Sequence, residues 1–162
     1  MSATPSGLPA ARVSRVLAAL ALAALVFGCA KVPVVGGKPQ VTLRLAAMPK
    51  ANSCGQDLGN SMAFRLVQVT DASGMTGASL AQFWDREDKV LGAAFLSKQD
   101  GVIDPGKTGE FKFERDDKAK AVIFVGSFCK PQGNCWYYTR PLSKGSTLKL
   151  TIDEFCIRES KK

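Results

Sequence analysis

The spacing of apolar and polar positions changes character along the chain. Val16 to Phe27 runs twelve residues without a polar side chain. Beyond residue 40, alternation with period two takes over, in Val41-Thr-Leu-Arg-Leu45, Phe64-Arg-Leu-Val-Gln-Val-Thr70, Phe111-Lys-Phe-Glu114 and Thr147-Leu-Lys-Leu-Thr-Ile152. Successive side chains of a strand point to opposite faces, so each stretch predicts a half-buried antiparallel strand. Ala121-Val-Ile-Phe-Val-Gly-Ser-Phe128 is nearly all apolar and predicts a central strand buried on both faces, with Cys135-Trp-Tyr-Tyr-Thr139 returning beside it. One segment switches to helical spacing: between Ala78 and Leu91, residues Leu80, Phe83 and Trp84 fall at i, i+3 and i+4. A short amphipathic helix follows, its apolar stripe on the core and Ser79 as N-cap. Asp104-Pro105-Gly106-Lys107 reads as a turn with Pro at its second position. Short strands separated by turn signals predict an all-β, two-sheet sandwich with one short added helix.

The apolar run near the N-terminus belongs to a different kind of segment. Met1 to Arg15 is mostly Ser, Ala, Pro and Gly, with two arginines and no acid, as in the n-region of a signal peptide followed by its h-region. Twelve helical residues rise roughly 18 Å, short of the about 30 Å hydrocarbon core. The segment therefore reads as one that is recognised and cut.

Val26-Phe27-Gly28-Cys29 resembles a lipobox, in which a small residue precedes a Cys whose thiol takes a diacylglycerol. Phe27 is larger than the usual occupant. Gly28-Cys29-Ala30 also fits the small-x-small site of ordinary signal peptidase, which would release a soluble chain from Lys31; lipidation of Cys29 is the preferred reading. Several acyl chains, at about 0.8 kcal/mol per buried methylene, make a stable anchor. Ala30, in place of an Asp retention signal, favours the outer membrane. The expected organisation is a cleaved lipoprotein signal peptide over 1–28, a lipidated tether over 29–40, a β-sandwich domain over 41–158 and a basic tail over 159–162.

Four cysteines remain: Cys54, Cys129, Cys135 and Cys156. In an oxidising compartment an even set argues for two disulfides, among three possible pairings. The preferred pairing joins Cys129 to Cys135, which flank the turn-rich Lys130-Pro-Gln-Gly-Asn134, and leaves Cys54 with Cys156. A metal is not expected, since the chain has no His and no C-x-x-C.

Formal charge is +8 in 162 residues, with Arg12 and Arg15 in the leader and the other cations spread along the chain. Without Arg-aromatic clusters this is not the pattern of a nucleic-acid module; it fits a solvated face, or attraction to acidic lipid or an acidic partner. Enzymatic chemistry also finds little purchase. The absence of His excludes the usual serine triad. The acid clusters Asp85-Arg-Glu-Asp88, Glu114-Arg-Asp-Asp117 and Asp153-Glu154 read as solvated loop or helix ends. The expectation is a non-enzyme without cofactor.

A series of short motifs carries a resemblance: Phe64-Arg-Leu-Val-Gln-Val-Thr-Asp71, Leu80-Ala-Gln-Phe-Trp-Asp85, Asp88-Lys-Val-Leu-Gly92, Pro105-Gly106, Gly126-Ser-Phe128 and Trp136. In order and spacing, from about Leu43 to Leu150, these are similar to the TssJ (SciN) lipoprotein family of type VI secretion systems. The resemblance implies a transthyretin-like sandwich, anchored in the outer membrane and facing the periplasm. It would bind the periplasmic C-terminal domain of the inner-membrane protein TssM and catalyse nothing. The family's partner-contact loop, between the first two strands, falls on Met48 to Ser61. It reads Asn52-Ser-Cys-Gly-Gln-Asp-Leu-Gly59 where the family usually has Asn-Pro-Asp with a Gly shortly after. Its candidate contact residues are Asn52, Ser53, Gln56, Asp57 and Leu58, with Leu58 as apolar anchor and Gln56 and Asp57 as rim. A bridge to Cys156 would pre-order the loop and lower the entropy cost of binding. The alternative from another class is a free-standing periplasmic lipoprotein that binds a small ligand in a deep apolar pocket or inhibits an envelope enzyme.

Overall fold

The computed structural model describes residues 38–55 and 57–160. The leader, Cys29, most of the tether and the last two residues of the tail lie outside that range, as does Gln56. Among the described residues no helix is long and apolar enough to cross a membrane.

Eight strands form two four-stranded sheets. Sheet I contains β1 (Gln40–Ala47), β4 (Thr108–Glu114), β7 (Thr147–Ile152) and β8 (Ile157–Glu159), in the order β4-β1-β7-β8. Sheet II contains β2 (Met62–Val69), β3 (Phe95–Ile103), β5 (Ala121–Gly126) and β6 (Tyr137–Pro141), in the order β3-β2-β5-β6. Among the described residues the arrangement is of the transthyretin-like kind, a two-sheet sandwich with one α-helix, α1 (Leu80–Leu91), added to it.

Alternation builds sheet I directly. Val41, Leu43, Leu45 and Ala47 of β1 and Leu148, Leu150 and Ile152 of β7 are buried, and the residues between them are not. In register, Leu43 lies between Phe111 of β4 and Leu148 of β7. One expectation needs correction. The strands were read as antiparallel, but β1 and β7 pair parallel, so the sheet is mixed. A parallel neighbour requires a crossover, and here five other strands intervene between the two partners.

Sheet II is buried on both faces at its centre. All six residues of β5 are buried, as its continuous apolar run predicts. Phe64 of β2 points between the sheets, meeting Phe111 edge-on at 4.9 Å and Phe124 at 5.4 Å between ring centroids. Gly101 of β3, its register partner, leaves space for that ring: a Cβ there would sit 2.3 Å from Phe64 Cζ. The other face of β2 is covered by α1. Ser79 caps the helix through a capping box, its Oγ accepting from the Gln82 N–H at 3.2 Å while Gln82 Oε1 accepts from the Ser79 N–H at 3.1 Å. Phe83 and Leu91 are buried beneath it, and Phe83 packs on Trp136 at 6.1 Å.

The helix overturns a second expectation, that Asp85-Arg-Glu-Asp88 is wholly solvated. Glu87 is 6% exposed and Arg65 of β2 is 8% exposed. Arg65 Nη1 donates to Glu87 Oε2 at 2.8 Å and to the Trp84 carbonyl at 3.0 Å, while its Nε donates to Asp100 Oδ1 at 2.8 Å. The guanidinium also lies 4.6 Å from the centre of the Trp84 ring, and Lys98 pairs with the second Glu87 oxygen. A charge at an outward strand position is buried here because a helix lies over it.

Candidate functional site

Strand direction sorts the loops between the two ends of the sandwich. At one end the chain enters at Lys38, and segments 115–120 and 142–146 turn back. The eight residues of β1 then run about 26 Å. At the far end lie loops 48–61, 104–107, 127–136 and 153–156.

Loop 48–61 is the longest of these and is strongly ordered from within. Asn52 sits at φ +53, the left-handed region that asparagine tolerates better than most residues. Its Oδ1 accepts from the Cys129 N–H at 2.9 Å, its Nδ2 donates to the Ser61 carbonyl at 3.2 Å, and its own N–H donates to the Asp153 carbonyl at 3.3 Å. Ser53 N–H donates to the Glu154 carbonyl at 3.2 Å. On the other side, Gly106 N–H reaches the Met48 carbonyl at 3.2 Å and Ser61 Oγ donates to Asp104 Oδ1 at 2.6 Å.

This corrects the expected contact set. Asn52 and Ser53 are 3% and 1% exposed, so they knit the loops together and present no side-chain surface to a partner. Leu58, by contrast, is 74% exposed, and Asp57 is exposed with Lys50 Nζ at 3.6 Å. Gln56 lies outside the described residues. Met48 and Val102 join Leu58 as the large apolar side chains left exposed among the described residues, and all three belong to this end of the sandwich. Val102 was missed in the sequence because the middle of β3, Ser97-Lys-Gln-Asp-Gly101, has no apolar alternation to announce a strand.

The disulfides also differ from the preferred pairing. Cys54 is bonded to Cys129 and Cys135 to Cys156, instead of Cys129 to Cys135 and Cys54 to Cys156. Strand order explains the outcome. β5 lies beside β2, which brings Cys129 against the loop leading into β2, and β6 packs near β8, which brings Cys135 to Cys156. Local closure in sequence loses to adjacency in the sheets. Three loops are consequently stitched together at one end.

Among the described residues no group of three or more His, Cys, Asp or Glu could hold a metal ion. Surface depressions among the described residues include one of about 540 Å³ between α1 and residues 74–78 and one of about 410 Å³ over the outer face of sheet I at Arg44, Ala46 and Lys149. Neither enters the interior between the sheets, which Phe64, Phe124, Leu43 and Leu148 fill.

Fold and site together define a class: a small β-sandwich module whose large exposed apolar side chains, among the described residues, are gathered at the end where the stapled loops lie. Residues 39–153 match the family described as Type VI secretion lipoprotein, VasD, EvfM, TssJ, and the chain belongs to that family. Similar solved structures agree on the fold. The T6SS lipoprotein TssJ1 from Pseudomonas aeruginosa shares 16% identity at a TM-score of 0.67, covering 78% of this chain and 98% of its own. Serratia marcescens Lip, described as a membrane bound component of the Type VI Secretion System, shares 14% identity at 0.67, covering 75% and 97%. A chain in the structure described as the T6SS protein TssM C-terminal domain from EAEC shares 15% identity at 0.67, covering 76% and 98%. No curated protein matches the chain. Family membership gives the protein a general role among the lipoproteins of the type VI secretion membrane complex.

Proposed function

We propose that this protein is held in the outer membrane through acylated Cys29, faces the periplasm, and fastens the periplasmic C-terminal domain of a TssM-like inner-membrane protein to that membrane, without catalysis or cofactor. The observation that carries this reading is the polarity of the sandwich. The chain enters at one end, and the exposed Met48, Leu58 and Val102 lie at the other. A lipid on the N-terminal tether would thus leave the apolar end free for a protein, and exposed apolar residues on ordered loops are what a protein interface uses as anchors. The family match and the likeness to a chain in a structure described by the TssM C-terminal domain support the choice of partner.

Two measurements test it. Cys29→Ser should move the protein from the membrane fraction to the soluble fraction with its circular dichroism unchanged; retention in the membrane would contradict the anchor. Leu58→Asp should weaken capture of the TssM-like domain from the same organism while the melting temperature holds, because Leu58 contributes nothing to the core.

A further inference from the structure

Loop 127–136 belongs to the same end of the sandwich, and nothing in the family resemblance assigns it a role. Cys129, Lys130, Pro131, Gln132, Gly133 and Asn134 are exposed in succession. An exposed run of this kind is ordinarily mobile, with a corresponding entropy cost on binding. Here both feet are fixed to different neighbours: Cys129 is bonded to Cys54, and its N–H is held by Asn52, while Cys135 is bonded to Cys156 and its carbonyl accepts from the Ile157 N–H at 2.8 Å. The loop thus stands as a ledge with both feet pinned beside loop 48–61. The two approach at Gly55, which sits at φ +95 and whose position lies beside the Lys130 ammonium: a Cβ there would be 2.5 Å from Lys130 Nζ. Lys130 has no ion pair or hydrogen bond among the described residues, whereas Lys50 on the neighbouring loop is paired with Asp57.

We propose that loop 127–136 is a second contact element of the partner surface, with Lys130 presented at Gly55 to receive a carboxylate on an acidic, apolar-bearing face of the partner protein. The proposal rests on the TssM-anchoring reading and extends it: loop 48–61 supplies the apolar contact through Leu58, and loop 127–136 supplies the charge. Position is what the two disulfides contribute, since neither foot of the ledge can drift from its neighbour. An unpaired cation beside an apolar anchor steers encounter, and the pinned feet of its loop reduce the backbone entropy lost on binding.

The experiment uses the full chain in detergent, with both bridges verified by intact mass, titrated with the periplasmic C-terminal domain of a TssM-like protein from the same organism. Lys130→Glu should raise Kd about tenfold and flatten its dependence on salt. Lys144→Glu, which makes the same charge change at the opposite end of the sandwich, should leave Kd where it was. Wild-type affinity in Lys130→Glu overturns the second contact and leaves the anchoring reading standing. Absence of binding by the wild-type chain defeats the anchoring reading itself, and this proposal with it. Equal losses in Lys130→Glu and Lys144→Glu would assign the effect to net charge and overturn the specific role of Lys130.

Discussion

The outer faces of the two sheets use the same alternation to opposite ends. On sheet I, the residues that point away from the core are Thr42, Arg44 and Ala46 of β1 and Thr147, Lys149 and Thr151 of β7, and none is buried. On sheet II, Arg65, Val67 and Val69 of β2 occupy the corresponding positions and are all buried under the helix side of the domain. Arginine appears on both faces. Arg44 pairs with Glu110 in solvent, with side chains 55% and 40% exposed, whereas the Arg65 and Glu87 side chains are 9% and 7% exposed. The difference teaches that a charged residue in a period-two strand has no fixed energetic meaning; the layer above it decides. Removing the covered charge should cost far more than removing the open one.

The covered pair supplies the largest expected effect. Glu87→Ala leaves the Arg65 guanidinium buried with Asp100 as its remaining carboxylate, a loss of about 3–5 kcal/mol in urea unfolding. The double substitution Arg65→Met with Glu87→Leu should recover most of that loss, because desolvation of two charges offsets much of their attraction. A Glu87→Ala loss below about 1 kcal/mol would place the pair with surface ion pairs and erase the contrast between the sheets.

Gly101→Ala comes next. The added methyl would enter the space held by the Phe64 ring, forcing that side chain or the β2–β3 register to shift, at a cost of about 1–3 kcal/mol. The measurement is the shift in denaturation midpoint at unchanged slope. The same substitution at Gly77, where a Cβ meets nothing within 4 Å but φ is +81, carries backbone strain without a clash and separates the two causes.

These residues also mark where the sequence was legible. β1, β4 and β7 were readable because one face of sheet I meets water, so burial writes period two directly into the chain. β5 was readable from its unbroken apolar run, and α1 from Leu80, Phe83 and Trp84 together with Ser79. β3 and β8 escaped because one carries the unpatterned Ser97 to Gly101 at its middle and the other is only three residues long. The disulfide pairing and the burial of Asn52, Ser53 and Glu87 escaped for a different reason. Each depends on which elements become neighbours, and strand order is not written in local periodicity. Of the candidate site, the location of loop 48–61 and the exposure of Leu58 could be read from the chain, and the inward role of Asn52 could not.

The smallest effect belongs to the open face. The Glu110 carboxyl is held below the usual carboxylate range, first by the hydrogen bond from Arg44 Nε at 2.8 Å and then by the charges of Arg44 and Lys112, against some desolvation. A carboxyl whose folded pKa is lowered contributes stability that is fully present above its unfolded value and is lost as pH falls through the folded one. Arg44→Met should therefore raise the Glu110 pKa toward its ordinary value in an NMR titration and lower the neutral-pH melting temperature only slightly, because the pair is screened by solvent. That small deficit should vanish on the acid side, where Glu110 is protonated in both proteins, so the variant's stability falls less than the wild type's between the ordinary and the lowered pKa. A marked loss at neutral pH would show that the outer face of sheet I is covered in solution, and that the two sheets are more alike than their surfaces indicate.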